Sequence, residues 1–329
     1  MNMTKKMHRK VVALIAASLA CLAGAASQAQ TKPYPSEPFT LIVPFGAGGG
    51  TDLLARHIGK AITEKTGLAA IVENKAGANG IIGAQHAKKA TANGYNILLT
   101  TSTTHGANPS LYKSLPYDPV ADFDPIGLVG VGGVVMVVKA DSRINNVQDF
   151  IAAAKASPRP MTFGSGNSSS QAGGELLKSH VGVDLMNVPY KSVPAALTDL
   201  VGGQVDVVFA DSIAAQPMIT GGQVKPIGVS TRTRIPGLEN VPTIAEQGVQ
   251  GYEFLGWIAA YTPKGVPEDR RKYLNAMFND IVKEQAVADF LARNGWIVQP
   301  GSMEEMDNFQ KSEIAKWRKI VETTGMTVQ

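Results

Sequence analysis

Short runs of β-branched and aromatic residues alternate along the chain with longer stretches whose apolar positions recur every three or four residues. Phe39 to Val43 predicts a strand and Pro44 to Gly50 a Gly-rich turn. A helix from about Asp52 to Lys65 follows, with Leu53, Leu54, Ile58, Ala61 and Ile62 on one face. Thr51 or Asp52 is placed to cap its first turn, and Gly67 to supply the left-handed residue after its last. Ala69 to Glu73 predicts the next strand, Gly77-Ala78-Asn79-Gly80 opens a helix that runs to about Lys89, and Ile97 to Thr101 predicts a third strand. This βαβα order calls for an α/β fold with a mainly parallel sheet covered by helices.

A second series begins after Ile126 to Val138, an apolar, Gly-punctuated stretch that suits a crossing between two lobes followed by a strand. Val147 to Ala156 predicts a helix, Met161 to Gly164 a strand, and Ser168 to His180 a helix with Ser caps. Ser192 and Pro194 start another helix, which Gly202-Gly203 ends before a strand at Val205 to Ala210. Ser212 to Thr220 is helical and Val224 to Ser230 a strand. Tyr252 to Thr262 is apolar enough to return the chain to the first lobe, and Pro267 to Asn294 and Met303 to Glu322 close it as helices. The expected division is lobe 1 over residues 30–131 and 256–329 and lobe 2 over residues 132–255, with a ligand cleft between them.

Composition fits a globular protein: of 329 residues, 44% are hydrophobic and 18% charged. A net charge of +4 would raise nucleic acid or anionic lipid as a partner, but its source is local. Lys5, Lys6, Arg9 and Lys10 precede the apolar run Val11 to Ala26 and the small-residue site Ser27-Gln28-Ala29, the pattern of a cleavable secretory signal. Removing residues 1–29 takes four of the 31 basic residues and none of the 27 acidic ones, so the mature chain has no net charge and nucleic acid loses its support. Cys21, the one cysteine, falls inside the signal and is poorly framed for lipid attachment, with Ser18 three residues before it. The expectation is a soluble periplasmic monomer without disulfides.

Two turns are candidates for ligand chemistry. Val43-Pro44-Phe45-Gly46-Ala47-Gly48-Gly49-Gly50-Thr51-Asp52 runs from a strand end into a helix start, where free N–H groups suit an anion. It is neither a Walker A loop nor a dinucleotide fingerprint, and a tight turn needing positive φ also explains its glycines. Gly164-Ser165-Gly166-Asn167-Ser168-Ser169-Ser170 repeats the design in the second lobe with hydroxyl donors added, more of them than a cap needs.

Catalytic patterns are weak. Ser110-Leu111-Tyr112-Lys113 and Lys65-Thr66-Gly67 match fragments of a penicillin-recognising hydrolase in reversed order, and no GxSxG or HExxH is present. His57, His86 and His180 fall in helical patterns without metal spacing, whereas His105 follows Thr100 to Thr104 at a strand end near the expected cleft. Asp211 either holds a ligand amine or caps the helix from Ser212.

On these residues the chain resembles the Bug family, the periplasmic solute receptors of tripartite tricarboxylate transporters. The likeness spans the mature chain. It is carried by Pro44 to Asp52, by Glu73-Asn74-Lys75-Ala76-Gly77-Ala78-Asn79-Gly80, by His105-Gly106-Ala107-Asn108-Pro109-Ser110-Leu111-Tyr112, and by Val188-Pro189-Tyr190-Lys191. Pro194 to Leu200 with Gly203-Gln204-Val205-Asp206, Val241 to Glu246, and Lys316-Trp317 complete it. The resemblance implies a two-lobed periplasmic binding protein, a Venus flytrap that closes on a small carboxylate without catalysis, cofactor or metal, and works with membrane permease subunits. In the first lobe the resemblance implies ligand contacts within Phe45 to Gly50, and the expected site there is Phe45, Ala47, Gly48, Gly49, Asn79, Thr101, Ser102 and His105. In the second it implies them within Ser165 to Ser170, and the expected site there is Ser165, Gly166, Ser168, Ser169, Tyr190 and Asp211. Gln171 and Asn187 stand where the family often has His, which bears on the identity of the ligand. The rival readings are a periplasmic hydrolase using one of Ser168 to Ser170, which lacks a placed base, and a sensor partner on the same fold.

Overall fold

The computed structural model describes residues 33–329; the expected export signal over residues 1–29, with Cys21, lies outside them. β1 (Phe39–Val43), α1 (Gly50–Thr66), β2 (Ala70–Asn74), α2 (Ile81–Lys88) and β3 (Asn96–Thr101) form the first βαβαβ series. After a π-helical turn at Thr103–Ala107 and the short α3 (Asn108–Leu111) comes β4 (Phe123–Lys139), a single strand of 17 residues. The second series is α4 (Val147–Ala156), β5 (Met161–Ser165), α5 (Ser168–Val181), β6 (Leu185–Pro189), α6 (Val193–Val201), β7 (Val207–Asp211), α7 (Ser212–Thr220) and β8 (Val224–Val229). β9 (Leu255–Pro263), α8 (Glu268–Ile281), α9 (Gln285–Arg293), β10 (Trp296–Val298) and α10 (Met303–Thr324) complete the described chain.

Strands joined through a helix pair in parallel: β1 with β2 and β3, and β5 with β6 and β7. The crossing strands pair antiparallel. β9 lies between β3 and the first part of β4, while the second part of β4, from Val134 on, pairs with β7 and β8. Each sheet is therefore mixed, parallel away from β4 and antiparallel around it, because β4 and β9 run between the sheets in opposite directions. Along β4 the side chains alternate faces as a strand requires. Val134, Met136 and Val138 enter one core cluster, Val135 and Val137 the cluster on the other face.

Three features were not legible as elements. β6 and β10 are short and lack a clean alternation, and the π-helical turn with α3 occupies a stretch read only as a motif. The predicted helix Pro267 to Asn294 is two helices. Leu274, Met277, Phe278 and Ile281 hold one buried stripe, but Glu284 and Gln285 stand where a continuous helix would need its next core contact. The chain breaks there and resumes with Val287 and Leu291 buried.

α10 begins with a capping box, Ser302 accepting from the Glu305 N–H while the Glu305 carboxylate accepts from the Ser302 N–H. Its first turns, at Met306 and Phe309, pack with Trp257, Tyr261 and Leu128 in the first sheet's core. Further on, Trp317 and Val321, with Met326 beyond the helix, join Phe163, Phe209 and Leu185 in the second sheet's core. Within the expected first-lobe segment 256–329, α10 thus contributes to both cores. Helical periodicity shows which face of α10 is apolar but not which core receives each turn.

Candidate functional site

The turn after β1 is pinned from within. Gly48 has φ +77, a conformation that favours glycine, and its N–H donates to Asp52 Oδ2 at 2.9 Å. The Gly49 N–H donates to Gly46 O at 3.3 Å, and Asn74 Nδ2 holds Phe45 O at 3.1 Å. Burial pushes the Asp52 carboxyl up, but the Arg56 guanidinium, 3.0 Å away, and the Gly48 N–H outweigh it and hold Asp52 below the usual carboxylate range. Gly49, with no side-chain bond, is the residue that caps α1, so neither Thr51 nor Asp52 acts as the expected cap. The N–H groups of Gly48 and Gly49 are thus engaged inside the turn. Ala47 and Gly48 are exposed, Gly49 is buried, and none of the three lines the cavities below.

The turn after β5 is capped by Asn167, whose side chain accepts from the Ser170 N–H at 2.8 Å, so the serines are not needed for that task. Ser170 Oγ donates to Phe209 O. Ser169 Oγ lies 3.0 Å from Ser102 Oγ, a hydroxyl pair that joins the end of β3 in the first sheet to the start of α5 in the second. Ser168 is fully buried with no partner for its hydroxyl. Gly166 is a packing glycine: a Cβ there would sit 2.1 Å from Val193 N and 2.2 Å from the Ser192 carbonyl carbon.

Thr101, Ser102, Ser169 and Asp211 come together on the wall of one inner cavity of about 40 Å³. Thr51, Asn167, Trp257, Ile258 and Trp296 complete its sides, and Gly132, Gly133 and Gly256 bring backbone up to it. No Lys, Arg or His lines it. Phe45, Asn79, Gly166 and Tyr190 line a neighbouring crevice of about 270 Å³ together with Lys191. Ser165, Asn79, Asn167 and Tyr190 line a third, of about 440 Å³, with Lys178, Glu175, Gln171 and Asn187. Ser165 Oγ donates to Asn187 Oδ1 at 2.7 Å and the Tyr190 hydroxyl to Asp199 Oδ2 at 2.9 Å, so both are held by the protein.

Asp211 caps α7, Oδ1 accepting the Ala214 N–H at 2.9 Å. Burial pushes its carboxyl up to about 6, further than the Ala214 N–H pulls it down. Sequence reading missed Trp296, because a three-residue strand carries no periodic signal. β10 lays its indole against Gly132, where a Cβ would sit 2.5 Å from the ring. That clearance explains one glycine of β4 by close approach.

His105 is not on the cavity wall. The π-helical turn carries it into a cluster with Tyr261, Phe123 and Tyr117, ring centroids 4.3, 4.8 and 6.3 Å away. It is fully buried, Nδ1 lies 2.9 Å from Thr104 Oγ1, and burial holds its pKa down at about 3, so it is a neutral core residue. The remaining histidines are elsewhere: His57 stacks on Phe290, His86 meets Glu73, and His180 bonds Leu176 O.

Residues 54–326 match the family described as Tripartite tricarboxylate transporter family receptor, TctC. Among solved structures, the chain is similar to an R. palustris protein with adipate, Rpa4515, at 32% identity and a TM-score of 0.86 over 89% of this chain and 98% of that one. It is similar to the periplasmic binding protein BugD at 30% identity, TM-score 0.85, over 90% and 100% of the two chains. It is also similar to MatC of Rhodopseudomonas palustris with bound malate, at 28% identity, TM-score 0.81, over 88% and 100%. With the periplasmic-binding-protein fold shared over nearly its whole described length, the chain belongs to the TctC family of solute-binding receptors, the family the Bug resemblance pointed to.

Proposed function

We propose that the protein captures a small carboxylate in the inner cavity, closes on it, and delivers it to the membrane permease subunits of a tripartite tricarboxylate transporter after export to the periplasm. The observation that carries this reading is the Ser102–Ser169 hydroxyl pair, which brings donors from both sheets to one cavity wall. Relatives solved with adipate and malate support the ligand class. Phe45, Asn79, Gly166, Ser165 and Tyr190 stand at the outer crevices, where Lys191 and Lys178 favour the approach of an anion.

Residues 30–131 and 256–329 form lobe 1 and 132–255 lobe 2 in this reading, with α10 packing into both cores. The bend falls where β4 and β9 pass between the sheets, near Gly132 and Gly256, which face each other in register. Closure has a contact energy behind it because one ligand meets donors from both lobes.

A bound carboxylate at about 100 times its Kd should stabilise the protein by about 2.7 kcal/mol, and its neutral amide should not. Ser169→Ala should weaken binding by about 1 kcal/mol by removing one hydroxyl. Calorimetry with small-angle scattering checks both binding and closure. Equal binding of acid and amide, or a bound state with an unchanged scattering curve, would remove the two-lobe capture mechanism.

A further inference from the structure

We propose that Asp211 makes the site selective for carboxylates that carry a hydrogen-bond donor, a hydroxyl or an ammonium, next to the carboxylate. This rests on the inner cavity being the ligand site. Oδ1 of Asp211 accepts the Ala214 N–H, and the one further donor to the carboxylate is the backbone N–H of Asp211 itself, so acceptor positions remain on it. The side chain lines the cavity, and it packs so tightly on the start of α1 that a Cβ on Gly50 would lie 2.2 Å from Oδ1.

The elements around Asp211 offer it no cation. α7 has no charged residue, and β4 has none between Val131 and Val138. On α1, Arg56 is engaged by Asp52, and at the end of α9 Arg293 Nε donates to Asp289 O. A buried carboxylate without a counter-charge or a full set of donors is costly. A plain carboxylate ligand would add a second negative charge beside it.

The second observation is independent. Trp296, 7% exposed and in the wall of the same cavity, has its Nε1–H buried with no acceptor. The cavity wall therefore holds a carboxylate that only backbone N–H groups serve and an unmatched donor. A ligand bearing a carboxylate with an adjacent O–H or N–H group satisfies both; an unsubstituted acid satisfies only the donor.

Calorimetry on matched triplets tests this: propionate, lactate and alanine; succinate, malate and aspartate; glutarate, 2-hydroxyglutarate and glutamate. In whichever triplet fits, the hydroxy or amino member should bind at least tenfold more tightly than the plain acid. Asp211→Asn keeps a capping oxygen for Ala214 and turns an amide N–H toward the cavity, so it should abolish or reverse that preference, and Asp211→Ser should abolish it with the cap retained. Melting of the unliganded variants establishes that both are folded. A plain acid binding as tightly as its substituted partners, or a ratio unchanged in both variants, overturns the proposal and leaves the carboxylate site standing. Binding by no member of any triplet overturns both.

Discussion

Trp317→Ala should lower the stability of the protein by about 3–5 kcal/mol, the range for deleting a large aromatic side chain from a core. Trp317 is fully buried on α10, edge-on to Phe254 with ring centroids 5.7 Å apart, and so close to Gly106 that a Cβ there would sit 2.9 Å from its ring. Its indole N–H has no acceptor, so the loss is one of packing alone. Because the same helix carries Met306 in the other core, the cavity should loosen the anchoring of α10 as a whole. Urea unfolding should show the midpoint falling, while Lys319→Ala, exposed on the same helix, should stay within about 0.5 kcal/mol. A Trp317→Ala midpoint close to wild type would mean that α10 contributes little to either core.

Acid should destabilise the fold through His105. In the folded protein its pKa is held at about 3, whereas in the unfolded chain it returns to its ordinary 6.5. At pH above 6.5 the ring is neutral in both states and costs nothing. As pH falls from 6.5 toward 3 the unfolded chain binds a proton that the folded protein refuses, and stability is lost progressively, by at most about 4–5 kcal/mol. His57, also lowered, chiefly by burial and then by Lys60 and Arg293, acts in the same direction. Asp211 opposes them: its raised pKa makes the folded state the better proton binder from about pH 6 down to its ordinary value of 3.8. His105→Phe should flatten the decline in urea midpoint between pH 6.5 and 4.5, and Asp211→Asn should steepen it. Parallel pH profiles for wild type and His105→Phe would show that the ring is not held neutral.

The first βαβαβ series was readable because its signals are local: Val43 ends an apolar run, Gly67 takes the left-handed conformation after α1 with φ +71, and one stripe of α1 is buried. The Ser-rich turn was readable as a helix start for the same reason, and Asp211 as a cap for its place between a strand and a helix. What was not legible depends on distant parts of the chain. His105 sits at a strand end in sequence, yet the π-helical turn sends it away from the cavity into rings contributed by Tyr117, Phe123 and Tyr261. Trp296 reaches the cavity only because β10 pairs with β4 across Gly132, a partner more than 160 positions earlier. The N–H groups of Gly48 and Gly49, expected to face a ligand, are engaged by Asp52 and Gly46, which the glycine pattern alone does not disclose.

β4 gives its first half to one sheet and its second to the other without a break. Neither sheet can melt while the other keeps that strand whole, since fraying either half strips hydrogen bonds from the backbone they share. Heat should therefore unfold residues 37–329 in one transition, with a calorimetric enthalpy equal to the van 't Hoff value. Amide hydrogens on both halves of β4 should exchange only through global opening, at one common free energy, leaving no partly unfolded form in which a single lobe survives.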